Sequence, residues 1–267
     1  MRIVPLLLLA AFSASAIRPQ QPQADADEAR DNELPAVTMF DGGVSQVLQS
    51  IYIPPIQNAP FSATIHTQWI RPLEDGGTFT LVNQRQVARD SLGRIYEERW
   101  FLVPKNGKVR SQMYIIQIGD PTAHTLFTCF LLKMPHRCTL ERYAASTTAS
   151  YRPPSMASGP LPNGNGFRTH EDLGLQDIVG TETTGTRDTI TYNAGVIGND
   201  KPFNVTREFW FASKLEIDLR SELTDPKFGK EIFTVSDVNA LDPDPKLFEI
   251  PEGFEVVDQR KPAAPAQ

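Results

Sequence analysis

Apolar and polar residues alternate along FSATIHTQWI, residues 61–70, with the period of two that is typical of a β-strand. One face of this segment carries Phe61, Ala63, Ile65, Thr67 and Trp69. The turn sequences EDGG and RDSLGR follow, and each precedes another run rich in strand-forming residues. The pattern therefore predicts three successive antiparallel strands, a β-meander with one packed face.

Further strands are predicted along the rest of the chain. SQMYIIQIGDP and a hairpin around residues 125–143 extend the first series to about six strands. A loop rich in Pro, Gly, Ser and Asn at 151–166 precedes a second series, which contains the hairpin turn TDPKFGKE. Before the first strand, residues 42–55 place Val44, Val47, Leu48 and Ile51 at helical spacing. The predicted fold class is mainly β, an antiparallel meander sheet with a short N-terminal helix.

The chain ends differ in composition from this body. Residues 1–16, MRIVPLLLLAAFSASA, have one positive charge, an apolar run and a small-x-small ending, which predicts a cleaved signal peptide. Residues 17–35 and 258–267 are rich in Pro, Gln and charged residues, which predicts a flexible linker and a disordered tail. A single β-rich domain is therefore expected at 36–257.

Charge and hydropathy restrict the partners. The formal net charge of −6 implies no basic surface for nucleic acid, so nucleic acid is not expected as a partner. No second apolar segment is long enough to span a bilayer, so no transmembrane anchor is expected after removal of the signal. The expected localisation is periplasmic or secreted.

The two cysteines, Cys129 and Cys138, lie in the stretch FTCFLLKMPHRCTL on either side of a turn that contains His136. Export would place them where disulfides persist, and their spacing matches neither a common zinc pattern nor a C-x-x-C redox pair. We predict a disulfide across a hairpin; free thiols and a metal or redox site remain alternatives.

No motif for nucleophilic, metal-dependent or phosphate-binding catalysis occurs in the body. The histidines, His66, His124, His136 and His170, are widely spaced, and LDPDP at 241–245 is interpreted as a turn. Glu97 and Glu98 are expected to be solvated or paired with neighbouring arginines. The sequence predicts no enzyme activity, no metal and no cofactor.

Aromatic residues are the remaining candidates for a binding site. An apolar ligand-binding face would be lined by large side chains with few polar anchors, whereas the same residues also serve to fill a core. The candidate ligand-binding residues are Phe61, Trp69, Trp100, Phe127, Trp210 and Phe211.

Several motifs carry a resemblance: IPPIQNAPFSATIHTQW, ARDSLGRIYEER, IGDPTAHTLF, LGLQDIVGTETTGTR, GVIGNDKPFNVTREFWFASKLEI and SELTDPKFGKEIFTVSDVNALDPDPKLFEIPEGFEV. Together they resemble a family of secreted bacterial proteins of unknown function. The C-terminal motifs are more distantly similar to the half-barrel superfamily of outer-membrane lipoprotein carriers and of envelope-stress regulators that sense mislocalised lipoproteins.

That resemblance implies a sheet curved as a half-barrel that binds an apolar ligand or a lipidated partner against its concave face, without catalysis. The alternative function is a protein-interaction module that adds a partner strand to an exposed sheet edge.

Overall fold

A computed structural model of the protein describes residues 48, 51–143 and 157–260. The predicted fold class is confirmed, because these residues form one large, mostly antiparallel sheet that does not close into a barrel. The predicted N-terminal helix falls largely outside these residues, and 51–55 form neither helix nor strand. The strands are β1 (Phe61–Pro72), β2 (Thr78–Arg89), β3 (Ile95–Trp100), β4 (Val103–Pro104), β5 (Met113–Asp120), β6 (Thr125–Phe130), β7 (Arg137–Arg142), β8 (Gly159–Pro160), β9 (Gly166–Ile178), β10 (Thr181–Tyr192), β11 (Phe203–Ala212), β12 (Ile217–Asp225), β13 (Gly229–Asn239) and β14 (Glu255–Asp258).

Two meanders meet at the centre of the sheet. The strand order is β14-β7-β6-β5-β3-β2-β1-β13-β12-β11-β10-β9-β8, and β4 pairs with β2 beside this path. The first meander runs outward from β1, as predicted for its first three strands. The second runs inward from β8 and ends with β13 paired antiparallel to β1. The centre of the sheet therefore joins the beginning of the described fold to a strand near its end.

The β12–β13 turn shows why glycine is needed at one position. Gly229 has a φ of 96°, and a Cβ there would lie 2.2 Å from the carbonyl oxygen of Ile70. A side chain at this position would separate β13 from β1, so the predicted TDPKFGKE hairpin depends on Gly229.

The two faces of the sheet each carry a core. The front face, defined by Phe61, Ala63 and Ile65, packs against the segment that contains Ile51 and Ile53. The alternation of β1 thus gives the packed face that the sequence predicts: Phe61, Ala63, Ile65 and Thr67 are buried, and Trp69, further along the strand, is half-buried.

The back face carries a second core over β3, β5, β6 and β7. Tyr96, Ile116 and the cysteines pack there against Phe248, which lies in a 3₁₀ turn at Pro245–Phe248. The segment after β13 therefore covers this half of the back face before it ends as β14, parallel to β7.

The predicted disulfide is confirmed between Cys129 of β6 and Cys138 of β7. The two residues are a directly opposed cross-strand pair, and both are fully buried in the back-face core. Closing a loop of this length contributes roughly 2.5–3 kcal/mol in the chain-entropy account of disulfides.

Arg89 is a buried cation on the front face, directly opposite Phe61. Its Nε donates a hydrogen bond to the carbonyl oxygen of Ala59 at 2.9 Å, its Nη1 to that of Pro54 at 2.7 Å, and its Nη2 to that of Leu215. Burial lowers the pKa of the Arg89 guanidinium to about 10. The side chain therefore ties the segment before β1 and the β11–β12 turn to β2.

Replacing Arg89 by Met should destabilise the protein by about 3 kcal/mol or more, because three carbonyl groups, two of them in buried residues, lose charged donors while the side-chain volume is retained. Urea unfolding of Arg89→Met measures the change. Arg142→Met, at an exposed position on β7, is the control and should change stability by less than about 0.5 kcal/mol. Equal stability of the two variants would contradict the role assigned to Arg89.

Asp218 on β12 is buried, and its Oδ1 has no hydrogen-bond partner within the described ranges. Burial raises the pKa of this carboxyl group to about 7. The folded state therefore retains a proton that the unfolded chain releases near pH 4, so stability falls as the pH rises from about 4 to about 7.

Asp218→Asn should remove that loss. The gain in unfolding free energy over the wild type should be small at pH 4 and grow to the order of 4 kcal/mol above pH 7. Urea unfolding of both proteins at several pH values measures the difference. A difference that does not change with pH would show that folding leaves the pKa of Asp218 unshifted.

Candidate functional site

The candidate site lies where β2 separates from β3. β2 pairs with β3 only over Val87–Arg89, and with β4 only at Leu81 and Val82. Side chains fill part of the gap between these short ladders. Asn83 donates from Nδ2 to the carbonyl oxygen of Trp100 at 2.8 Å, and the backbone N–H of Gln86 donates to Oε2 of Glu98 at 2.9 Å.

Glu98 is buried at this gap, which corrects the expectation that it is solvated or paired with an arginine. Its Oε2 also accepts a hydrogen bond from Nε1 of Trp100 at 2.7 Å, and its Oε1 accepts one from the Tyr96 hydroxyl at 3.0 Å. Burial first, and then the charge of Glu98, raise the pKa of Tyr96. Three neutral donors therefore hold the carboxylate in place as an acceptor.

The neighbouring Glu97 is paired with arginine, as the sequence predicts. Arg99 binds its Oε2 at 2.6 Å, and Nη1 of Arg85 lies 3.9 Å from the same oxygen. Arg94 pairs instead with Asp90 at 2.6 Å. The difference from Glu98 follows from strand alternation, because adjacent residues of β3 point to opposite faces.

A cleft of about 640 Å³ opens on the back face beside this gap. Apolar and polar residues both line it. Asn83 borders the cleft, and its Oδ1 is buried without a hydrogen-bond partner in the described structure. The lining residues are His66, Thr67, Gln68, Val82, Asn83, Gln84, Arg85, Gln86, Glu98, Trp100, Val103, Lys105, Ser111, Ile232 and Thr234.

The six aromatic residues proposed from the sequence do not converge on one face. Phe61 is fully buried in the front-face core, and Trp69, also on the front face, donates from Nε1 to the carbonyl oxygen of Phe228 at 2.9 Å. Phe127 packs at the edge of the back-face core. Trp100 is the member of the set that lines the cleft.

Trp210 and Phe211 lie on β11, away from the cleft. Trp210 is buried, donates from Nε1 to Oε1 of Glu208 at 2.8 Å, and stands so close to Gly185 that a Cβ there would meet the indole ring at 2.7 Å. Phe211 is half-buried. A role for any of the six residues in ligand binding stays a prediction.

A Glu-x-Trp motif occurs twice in the sheet, and the sequence reasoning did not use it. Glu98 and Trp100 on β3 make the same carboxylate–indole hydrogen bond as Glu208 and Trp210 on β11. The repeated letters in EERW and REFW were the available signal.

The strand register relates the two motifs. Glu98 lies level with Thr64 of β1, and Glu208 lies level with Ile232 of β13. Thr64 and Ile232 each stand two residues before a member of the central cross-strand pair, His66–Thr234. An approximate two-fold rotation through that pair therefore exchanges the motifs, yet only the first borders the cleft.

His66 is the histidine that lines the cleft, and its contacts do not activate a nucleophile. Its Nε2 lies 2.7 Å from Oγ of Ser236, and the Ser236 hydroxyl donates to Oδ2 of Asp237 at 2.8 Å. That hydrogen bond lowers the pKa of Asp237. Because the serine proton is already directed to Asp237, His66 acts as the donor to Ser236 and not as its base.

A histidine–carboxylate pair lies elsewhere on the sheet. His170 binds Asp188 through Nδ1 at 2.7 Å, but this pair lies on the front face of β9 and β10, far along the sheet from His66. No group of three His, Cys, Asp or Glu side chains that could hold a metal ion occurs in the part of the chain that the structure describes. None of the helices in that part is both long and apolar enough to cross a membrane.

Neither a protein-family model nor a curated protein matches the sequence. Among solved structures, the chain is similar to MucB in the Pseudomonas aeruginosa MucA/MucB complex, with 13% identity, 76% of this chain and 59% of that chain covered, and a TM-score of 0.37. It therefore spans about three fifths of that chain.

Two further similarities cover most of the other chain. LprF from Mycobacterium bovis has 12% identity over 70% of this chain and 90% of that one, with a TM-score of 0.28. A LolA superfamily protein from Nitrosomonas europaea has 9% identity over 74% and 93%, with a TM-score of 0.29. The distant resemblance predicted from the sequence is confirmed, and at these TM-scores it carries nothing about ligand or partner.

Proposed function

We propose that this is a non-enzymatic binding protein of the cell envelope that holds an amphipathic ligand, the acyl chain of a lipid or of a lipidated partner, in the back-face cleft. The observation that carries the proposal is the separation of β2 from β3, which opens a cleft beside Trp100. The proposed localisation is periplasmic or extracellular, from the predicted signal peptide at residues 1–16.

The size and lining of the cleft support an amphipathic ligand. Small-molecule sites have volumes of roughly 300–1,000 Å³ and mostly apolar walls with a few polar groups that set orientation. Val82, Val103, Ile232 and Trp100 supply apolar surface for an acyl chain. The amides of the neighbouring Gln and Asn residues offer donors and acceptors to a polar headgroup.

A second candidate function uses the edge of the sheet. β8 pairs with β9 only through Gly159 and Pro160, so within the described residues the outer edge of β9 beyond Arg168 has no partner strand. A partner chain could add a strand there. Glu171, Asp172 and a bulge next to Gly174 oppose such pairing, because charges and bulges are the features that protect exposed edges. We therefore favour the cleft.

A fluorescent fatty acid tests the proposed function. Val82→Glu places a charge in the cleft wall and should weaken binding at least tenfold, because burial of the charge opposes binding of an acyl chain. Val256→Glu, at an exposed position on β14, is the matched control and should bind as the wild type does. Fluorescence titration gives the Kd values.

The two Glu-x-Trp motifs provide an internal control for location. A bound acyl chain should change the tryptophan fluorescence of the wild type and of Trp210→Phe, but not that of Trp100→Phe. Equal binding by both valine variants would place the ligand outside the cleft. A wild type that binds no acyl probe, and that purifies without lipid by native mass spectrometry, would refute the proposal and favour the edge of β9.

A further inference from the structure

A basic, apolar arm extends from the sheet beside the cleft. It comprises residues 101–110, FLVPKNGKVR, which leave β3, pair briefly with β2 as β4, and return to β5. Residues 104–110 are all exposed. The arm contains three cations, Lys105, Lys108 and Arg110, and no carboxylate, in a chain whose net charge is −6.

The arm is an ordered loop. The backbone N–H of Phe101 donates to the carbonyl oxygen of Gln112 at 3.0 Å, and that of Lys105 donates to the carbonyl oxygen of Thr80 at 2.9 Å. The ring of Phe101 stacks on Tyr114 with centroids 4.4 Å apart. These contacts hold the base of the arm against the sheet and leave its tip in solvent.

Large apolar side chains are exposed together with the cations. Phe101 is 47% exposed and Val109 is 64% exposed. On β2, next to the arm, Phe79 is also exposed. A surface that meets a lipid bilayer needs both kinds of group, because the apolar groups enter the interface and the cations bind its anionic headgroups.

The charges on the arm are available to a partner. Within the described residues, Lys105, Lys108 and Arg110 form none of the ion pairs that many other cations make, such as Arg187 with Glu208 or Lys230 with Glu222. The negative charge of the rest of the protein is screened over about 8–10 Å at physiological ionic strength, so the local charge of the arm decides how it meets a surface.

The arm also contributes to the cleft. Val103 and Lys105 of the arm line the cleft wall, as does Ser111, the residue that follows the arm. A partner that binds the tip is thereby brought to the cleft mouth, which is where an amphipathic ligand would enter or leave.

We propose that the 101–110 arm docks the protein on the surface of a bilayer that contains anionic lipid. This proposal rests on the proposed function, because exchange of an acyl ligand through the adjacent cleft is the reason for the protein to contact a membrane. The partner is taken to be an anionic bilayer because the arm offers both positive charge and exposed apolar side chains. An acidic soluble protein would account for the positive charge but would not require the apolar side chains.

Vesicle flotation with the full chain tests the proposal. The wild type should bind vesicles of phosphatidylcholine with roughly 30% phosphatidylglycerol at low salt. This binding should weaken roughly 100-fold in 0.5 M salt or on pure phosphatidylcholine, because the attraction of three cations to the anionic headgroups is screened or absent. The double variant Lys108→Glu/Arg110→Glu should bind at least about 30-fold more weakly.

Arg142→Glu/Lys214→Glu is the matched control, because it makes the same change in net charge at exposed positions outside the arm. It should retain most of the wild-type binding. Val109→Ser should weaken binding about five- to tenfold, because it removes one apolar contact with the interface while leaving the cations in place.

The outcomes separate this proposal from the proposed function. Lys108→Glu/Arg110→Glu leaves the cleft lining unchanged and should keep the wild-type Kd for the fluorescent fatty acid. The docking proposal is overturned if the wild type fails to float with anionic vesicles at low salt, if it floats equally with neutral vesicles, or if both double variants lose binding equally. Acyl-probe binding in any of these cases would leave the proposed function in place.

Discussion

The antiparallel pairing of β1 with β13 is the constraint on which the rest of the structure depends. It joins an outward meander to an inward one, so the sheet has a centre built from distant parts of the chain and two ends that do not meet. The approximate two-fold relation between the Glu-x-Trp motifs follows from it. Because β13 lies at the centre, the segment after it must cross the sheet to reach β7, and on the way it covers the half of the back face that contains the disulfide.

The cleft exists because one carboxylate replaces part of a β-ladder. Removing Glu98 from water is unfavourable unless its oxygens find donors, and here a tyrosine, a tryptophan and a backbone amide supply them. The contact with the backbone N–H of Gln86 gives β2 a hydrogen bond at a point where it has no partner strand on the side of β3. The sheet can therefore remain open at this point without leaving most of its polar groups unpaired, although Oδ1 of Asn83 is buried without a partner in the described structure.

Local features of the fold were predictable from sequence, and relations between distant segments were not. Alternation in residues 61–70 gave both the strand and its packed face, and Asp90 and Gly93 marked a turn because their chemistry acts over a few residues. The disulfide followed from two cysteines around a turn. The pairing of β1 with β13 leaves no local signal, since any strand of suitable pattern fits beside β1.

The candidate site was predicted less well than the fold, for a related reason. Large aromatic side chains were predicted to act together, but successive residues along a strand point to opposite faces, and Phe61 and Trp100 lie on opposite sides of one sheet. Glu98 was expected in solvent because a carboxylate favours water. Its burial depends on Tyr96 and Trp100, each two residues away on the same strand face, together with an amide from β2.

The central pairing also sets the order of events during folding. His66 and Ser236, which bond across the centre, are separated by 170 positions along the chain. Contacts of such high sequence separation raise the contact order of a protein and slow its folding. Until β13 is available, β1 presents an unpaired edge with a strongly apolar face, which is the kind of surface that leads to aggregation. The centre of the sheet therefore cannot form before β13 has been synthesised, and until then the exposed edge of β1 favours association with other chains.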